Sequence, residues 1–340
     1  MGNLWMNLVN EEEFCMHYTK FGNTGLEVSK LALGCMSFGV PDRGIAPWSL
    51  PEKESEEIIR KAIDLGINYF DTANVYSDGT SEEFLGKVLR DIGKREEMVV
   101  ATKAYFPMFD GPNSKGLSRK SLFREVDASL ERLGMDYIDH YVIHRWDKNT
   151  PIEETMEALH DIVKSGKIRY IGASSMHAWQ FQKAQYVATK YGWTKFVSMQ
   201  NLVNLIYREE EREMLPFCKS EGIAVTPWSP LAKGRLVRDV ETQTDRSKID
   251  SAGENFFGDI QSADREIIER VAEIADERGV SRAQIALAWV LQKEEVTSPI
   301  IGTTKIHQLE DSVKALEIDL TEEEVAYLEE PYVPHSIVGF

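Results

Sequence analysis

Cysteine is scarce in this chain. Three residues in 340, Cys15, Cys35 and Cys218, are scattered, odd in number and without a Cys-x-x-Cys spacing. That speaks against a disulfide framework and fits a reducing, cytoplasmic setting. Long apolar runs are missing: nothing approaches the ~20 residues a membrane span needs. The N-terminal stretch MGNLWMNLVNEEEFC has neither a basic start nor a long apolar segment, so it does not read as a secretory signal. Positive charge is also short, with 39 Lys and Arg against 56 Asp and Glu and a net charge of −17. Nucleic acids and anionic membranes require a basic face, so neither is an expected partner. No linker-like or low-complexity stretch divides the sequence, which predicts one domain over residues 1–340. The dinucleotide fingerprint G-x-G-x-x-G is absent, since GCMSFG (34–39) does not fit its spacing.

What is present is an alternation. Hydrophobic residues make up 42%, a globular share. Two short alternating runs flank Asn23-Thr24-Gly25 and predict a small N-terminal β-hairpin. Strand-like runs then precede helix-like ones eight times: 31–36 and 52–66, 68–73 and 81–92, 98–103 and 118–134, 137–146 and 152–166, 168–175 and 178–192, 196–201 and 209–222, 224–229 and 281–293, 298–302 and 307–316. The strands are short and apolar, as strands covered on both faces are. Ser81-Glu82-Glu83 reads as a helix cap, and Gly66, Gly134, Gly166, Gly192 and Gly222 as helix stops. Eight β-then-α units predict an α/β fold closed into a (β/α)8 TIM barrel. Segments 263–279 and 321–332 read as two extra helices. Residues 1–15 read as an N-terminal extension to which the sequence assigns no role, and 231–262, rich in Gly, Asp, Arg and Ser, reads as a functional loop.

In such barrels chemistry gathers at the C-terminal strand ends. The second strand ends in Asp71, with Tyr76 in the loop beyond; the third ends in Lys103 and the fourth in His144. Singly, each has a plain structural explanation as cap, solvated ion or packing. Jointly, the predicted barrel puts an acid, a phenol, an ammonium and an imidazole on one rim. His140 and His144 are four apart on a strand, roughly 13 Å at ~3.3 Å per residue, so no metal bridges them and none is expected. A phenol of pKa about 10 exchanges protons poorly at neutral pH unless a neighbouring cation stabilises phenolate. Asp71 would hold Lys103, Lys103 would tune Tyr76, and His144 would orient a carbonyl. That constellation suits reduction of a carbonyl with a hydride from a cofactor, since no side chain supplies one. A Schiff-base enzyme using Lys103 is an alternative, although a lysine paired to Asp71 is poorly suited to attack.

FDTANVYSDG, VVATK, DYIDHYVIHRWD, IRYIGASS, SMQNLVNL, VTPWSPLAKGRL and SPIIGTTK, in that order across nearly the whole chain, resemble the aldo-keto reductases. QNLVNLIYREEEREMLPFC and the C-terminal PYVPHSIVGF are most similar to the YajO-type microbial and fungal branch. The resemblance implies a catalytic tetrad of Asp71, Tyr76, Lys103 and His144, with NAD(P)H extended across the rim. It implies that Ser174 and Gln200 hold the nicotinamide carboxamide, that Trp228 stacks on the ring, and that Gly34, Cys35 and Met36 lie near its ribose. Ser229, Leu231, Gly234 and Arg235 would open a loop folding over the pyrophosphate, with 231–262 as the clamp. Gly302, Thr304, Lys305, Gln308 and Asp311 would surround the adenosine. The sequence departs from the family pattern at Ser175 and Ser312, where asparagine is common, and at Arg145-Trp146 after the histidine. A regulatory subunit with the same fold, cofactor and slow turnover is a further alternative.

The cofactor end also has a physical reading. GTTKIHQLEDS is a strand end running into a helix start, where free N–H groups favour an anion. Lys305 there suits a 2′-phosphate, which favours NADP(H) over NAD(H). Met36, Phe38, Tyr105, Phe106 and Trp146 on the same rim predict an apolar, partly aromatic pocket for a small-molecule carbonyl substrate.

Overall fold

The computed structural model describes residues 16–44, 46–242 and 260–339. Residues 1–15 and most of the expected clamp, 243–259, lie outside the described residues. The hairpin is β1 (Tyr18–Lys20) and β2 (Glu27–Ser29), antiparallel with Tyr18 opposite Ser29. Eight parallel strands follow: β3 (Ala32–Gly34), β4 (Tyr69–Asp71), β5 (Val99–Ala104), β6 (Ile138–Ile143), β7 (Ile168–Ser174), β8 (Ser198–Gln200), β9 (Ala224–Val225) and β10 (Ile300–Gly302). They pair in the order β10-β3-β4-β5-β6-β7-β8-β9. The two ends of that row meet, because Val225 bridges Val296, Trp228 bridges Ile300, and the Ile300 N–H donates to the Pro227 carbonyl at 2.8 Å. The sheet is therefore a (β/α)8 barrel, closed as strand tilt and stagger require.

Most helices cover it through one apolar stripe, whereas helix Arg282–Leu291 is buried at every position from Gln284 to Val290. Between β3 and β4, helix α1 (Glu52–Asp64) buries Ile58, Ile59 and Ala62. Helix α2 (Thr80–Ile92), after β4, buries Leu85, Val88 and Leu89. Helix α3 (Arg119–Leu133), after β5, crosses α2 so closely that a side chain at Gly86 would sit 2.1 Å from the Leu133 carbonyl oxygen. The two extra helices run Ser262–Arg278 and Glu322–Glu329. All five glycines read as helix stops have positive φ. Among the described residues no helix is long and apolar enough to cross a membrane.

At the N-terminal end of the barrel the hairpin acts as a plug. Phe21 lies edge-on to Tyr69 and to His140, with ring centroids 5.7 and 5.1 Å away.

Three local expectations are corrected. Ser81 does not cap α2: Gly79 precedes that helix without a side-chain cap, and the Ser81 hydroxyl donates to the Cys35 carbonyl at 2.7 Å. Glu82, fully buried, takes Thr102 Oγ1 and Arg132 Nε, both at 2.5 Å, and so ties α2 to β5 and α3. The expected helix 209–222 is a 3-10 turn (Glu209–Glu211) and a shorter helix (Met214–Glu221), because Pro216 cannot donate from a helix interior and is accepted in the first turn. The strand expected over 224–229 pairs regularly only at Ala224 and Val225 before Pro227 interrupts it.

Candidate active site

Parallel register sets the rim. Asp71 is the last residue of β4, Lys103 lies near the end of β5, and His144 follows β6 with its N–H on the Ala104 carbonyl at 3.1 Å. Tyr76 begins a tight turn (Tyr76–Gly79) in which Ser77 and Asp78 adopt left-handed conformations. Thr80 holds that turn by donating to the Ser77 carbonyl at 2.7 Å. Gly39 lets the preceding loop approach, since a Cβ there would lie 2.3 Å from Ser77 Cβ. The chain leaves the barrel after Asp71 and brings the phenol back over the same opening.

All four side chains are buried and gathered together. Lys103 Nζ donates to Asp71 Oδ1 at 2.5 Å and to the Thr72 carbonyl at 2.8 Å, and lies 3.4 Å from the Tyr76 hydroxyl. The other Asp71 oxygen accepts from Gln200 Nε2 at 2.8 Å. The Tyr76 and His144 rings meet edge to face at 5.9 Å, and Phe106 packs on His144 at 5.0 Å. His144 Nδ1 is buried without a hydrogen-bond partner among the described residues.

Charge follows burial. Desolvation pushes the Lys103 ammonium towards neutrality, but the Asp71 carboxylate and the Tyr76 oxygen outweigh it, so its pKa lies above the usual lysine value. A cationic Lys103 lacks the free amine that Schiff-base attack requires. Burial raises the Tyr76 pKa; Lys103 opposes that rise without reversing it, so the phenol is protonated at rest. Tuning by Lys103 is therefore real in sign, but it is not the largest influence. Burial, with Lys103 and Arg145 adding to it, holds His144 well below the usual imidazole range and neutral.

The remaining expected residues fall into groups. Ser174 Oγ lies 3.3 Å from Ser175 Oγ, and Trp228 Nε1 donates to Ser175 Oγ at 3.2 Å, so Ser175 is tied into this cluster beside Gln200. Ser229, Ala232, Lys233 and Gly234 all have positive φ, forming one compact turn with Leu231 and Arg235. Gly302, at the end of β10, has no atom within 4 Å of where a Cβ would sit, so it leaves open space. Lys305 is exposed at the start of helix Ile306–Lys314. Gln308 accepts from the Thr304 N–H and the Thr303 hydroxyl, both at 3.2 Å; Asp311 accepts from the Ser281 hydroxyl, and Ser312 donates to the Gln308 carbonyl.

Among the others, some side chains are buried below the surface and some pack around Tyr76. The Cys35 thiol is fully buried against the Leu33 carbonyl, and burial raises its pKa. Gly34 makes room for Ile300, whose Cγ2 would be 2.8 Å from a Cβ there. Phe38 is fully buried in the main hydrophobic core. Met36 and Phe106 pack in one cluster with Tyr76, Tyr105 meets Phe106 edge to face at 5.3 Å, and Trp146 meets Trp179 at 6.2 Å. Arg238, part-buried on the same turn, has an Nη1 that would lie 3.1 Å from a Cβ on Gly234.

Similarity to known proteins agrees with this geometry. Residues 30–332 match the aldo/keto reductase family. The chain is 45% identical over 343 residues to versiconal hemiacetal acetate reductase of Aspergillus parasiticus, covering 95% of this chain and 98% of that one. It is 44% identical over 348 residues to a putative aryl-alcohol dehydrogenase of Schizosaccharomyces pombe, covering 95% and 97%. A putative aryl-alcohol dehydrogenase of Saccharomyces cerevisiae is 41% identical over 335 residues, covering 93% and 96%. These relatives are fungal oxidoreductases of carbonyl and alcohol groups by name, and with a match this long the chain belongs to the aldo/keto reductase family.

Proposed function

We propose that this protein reduces an aldehyde or ketone to the alcohol, reversibly, using NADPH, with Tyr76 as proton donor. The observation that carries the reading is the buried contact series Gln200–Asp71–Lys103–Tyr76 opening toward a neutral His144. The family uses nicotinamide cofactors, and the residues present suit one. Hydroxyl and amide groups cluster at Ser174, Ser175 and Gln200, Gly302 leaves space at the far end, and Lys305, Arg235 and Arg238 supply cations in an otherwise acidic chain. The bound nicotinamide supplies a hydride.

The protein's own residues handle the oxygen. The Tyr76 phenol gives its proton to the developing alkoxide, and Lys103 stabilises the phenolate left behind. Asp71 keeps Lys103 charged and aimed, while Gln200 fixes the second Asp71 oxygen. His144, neutral, donates a hydrogen bond to the carbonyl and orients it. Lys305, and Arg238 with it, favour NADPH over NADH by attraction to a 2′-phosphate. The chain is read as one domain working in the cytoplasm, in keeping with Cys35 and Cys218 being free and buried.

The test is NADPH oxidation with para-nitrobenzaldehyde, repeated with NADH. Tyr76→Phe should lower kcat by about 10²- to 10⁴-fold, the usual worth of a general acid, with little change in cofactor binding. Equal rates for wild type and variant would remove Tyr76 as the donor, and equal kcat/KM with NADPH and NADH would remove the 2′-phosphate preference.

A further inference from the structure

The His-Arg-Trp-Asp run at 144–147 places a cation two residues from an acid, and an ion pair between Arg145 and Asp147 is the simplest expectation. The structure has no such pair. Asp147 turns away and is fully engaged: Oδ2 accepts from the Leu117 N–H at 2.8 Å and from the Thr150 hydroxyl at 2.7 Å, and Oδ1 accepts from the Asn149 N–H at 2.9 Å. Gly116 permits that turn, because a Cβ there would lie 2.6 Å from Asp147 Oδ2. These bonds hold the Asp147 carboxyl below its ordinary pKa, so its charge is committed to the loop and not to Arg145.

Arg145 points the other way, into the candidate site. Its single protein hydrogen bond among the described residues runs from Nη1 to the His144 carbonyl at 2.6 Å, and its Cζ lies 5.5 Å from the centre of the Phe106 ring. No carboxylate pairs with it among the described residues, whereas most other arginines here have an acidic partner. It is partly buried, and burial pulls its pKa down while Tyr76 and Tyr105 pull it up. A guanidinium has five N–H donors in a planar fork. Here most of that fork is unused, beside the proton donor, against aromatic walls that strengthen a charge interaction by excluding water. Among the described residues the other cation facing Tyr76 is Lys103, and it is paired with Asp71. In a chain of net charge −17, an approaching anion meets repulsion everywhere except where a local cation offsets it.

We infer that Arg145 is a specificity residue, and that the substrate class is an aldehyde or ketone carrying a carboxylate on the same small, mostly aromatic framework, with Arg145 gripping the carboxylate while the carbonyl meets Tyr76 and His144. This rests on the carbonyl-reduction reading above. The ring would pack on Phe106 and Tyr105, between the two polar ends.

The test compares meta-carboxybenzaldehyde with its methyl ester, which keeps ring and carbonyl and removes the charge. Wild type should prefer the acid in kcat/KM by about 10-fold or more, and Arg145→Met should lower kcat/KM for the acid by about 30-fold, the scale of one lost charged hydrogen bond, mostly through KM. The ester should change less than about 3-fold, and Arg145→Lys should recover part of the loss. A second measurement is binding of meta-(hydroxymethyl)benzoate by tryptophan fluorescence, expected in wild type and weakened by Arg145→Met. A wild-type preference for the ester, or equal losses on acid and ester in Arg145→Met, overturns the proposal while leaving carbonyl reduction standing. If no aldehyde, including neutral para-nitrobenzaldehyde, is turned over, the underlying reading fails, and the benzoate titration then decides Arg145 by itself.

Discussion

β6 holds one histidine within it and delivers a second just past its C-terminal end, and the contrast between them separates structure from chemistry in this barrel. His140, at the floor, has both nitrogens occupied: Nδ1 with the Tyr69 hydroxyl at 3.0 Å and Nε2 with the Ser198 hydroxyl at 2.7 Å. Gly172 makes the space, since a Cβ there would be 2.4 Å from His140 Nε2. His144, at the rim, has a buried Nδ1 with no partner among the described residues and lies among Tyr76, Phe106 and Arg145. Both are neutral, chiefly because burial disfavours the charged form and secondarily because Lys103 repels it; His140 is pushed down to about 3. The two therefore share protonation state, and partner count distinguishes them. A satisfied buried imidazole is a bolt, and an unsatisfied one at a site opening retains capacity for a ligand.

The largest expected effect breaks the rim half of the contrast. His144→Phe should lower kcat/KM by about 10²- to 10³-fold, the usual worth of a hydrogen-bond donor to the developing oxyanion. Its stability at neutral pH should move by less than about 0.5 kcal/mol, because the residue leaves behind no stranded protein partner. Steady-state kinetics and thermal unfolding of one sample measure both. A loss of several kcal/mol in stability with activity retained would make His144 a second bolt.

The floor half should behave in the opposite way. His140→Ala takes a partner from Tyr69 and from Ser198 and opens a cavity under Phe21, so it should cost about 3 kcal/mol of unfolding free energy. Denaturant unfolding measures this, and kcat at a temperature where the variant is folded should stay within about 3-fold of wild type. A kcat loss as large as that of His144→Phe would show that the floor reaches the chemistry.

Much of this was legible in the primary structure, and what was not has separate physical causes. Asp71, Lys103 and His144 could be located because a charged residue ending a buried strand has few places to go except the rim. Their order along consecutive strands then followed from the barrel. Phe38 follows a short buried strand whose residues are covered on both faces, and Ser81, which reads as a cap, is instead drawn onto the Cys35 carbonyl. Periodicity says that Phe38 is buried but not whether it faces the barrel interior or the helix layer. Glu82 reads as an exposed first-turn acid, and only the approach of Arg132 from α3, fifty residues away, explains its burial. Arg145 was visible as a residue but not as an unpaired cation, since the turn that diverts Asp147 depends on Leu117 and Gly116 in another loop.

The smallest effect sharpens the comparison through pH. An unfolded histidine titrates near 6.5, whereas both buried imidazoles here titrate well below that. Between those values the unfolded chain binds a proton that the native state does not. Stability therefore rises with pH across the window and falls on acidification, by about 1.4 kcal/mol per pH unit for each histidine. The contribution is fully present above pH 6.5, and for His140 it declines until the native pKa of about 3 is reached. In His144→Phe one of the two contributions is gone, and every carboxylate contribution is shared with wild type. The difference between the two unfolding curves should thus be flat above pH 7 and slope on the acid side of pH 6.5, approaching about 1.4 kcal/mol per unit. A difference that stays flat throughout would mean that His144 accepts a proton in the folded protein, and that the rim is wetter than the floor even though both rings are buried.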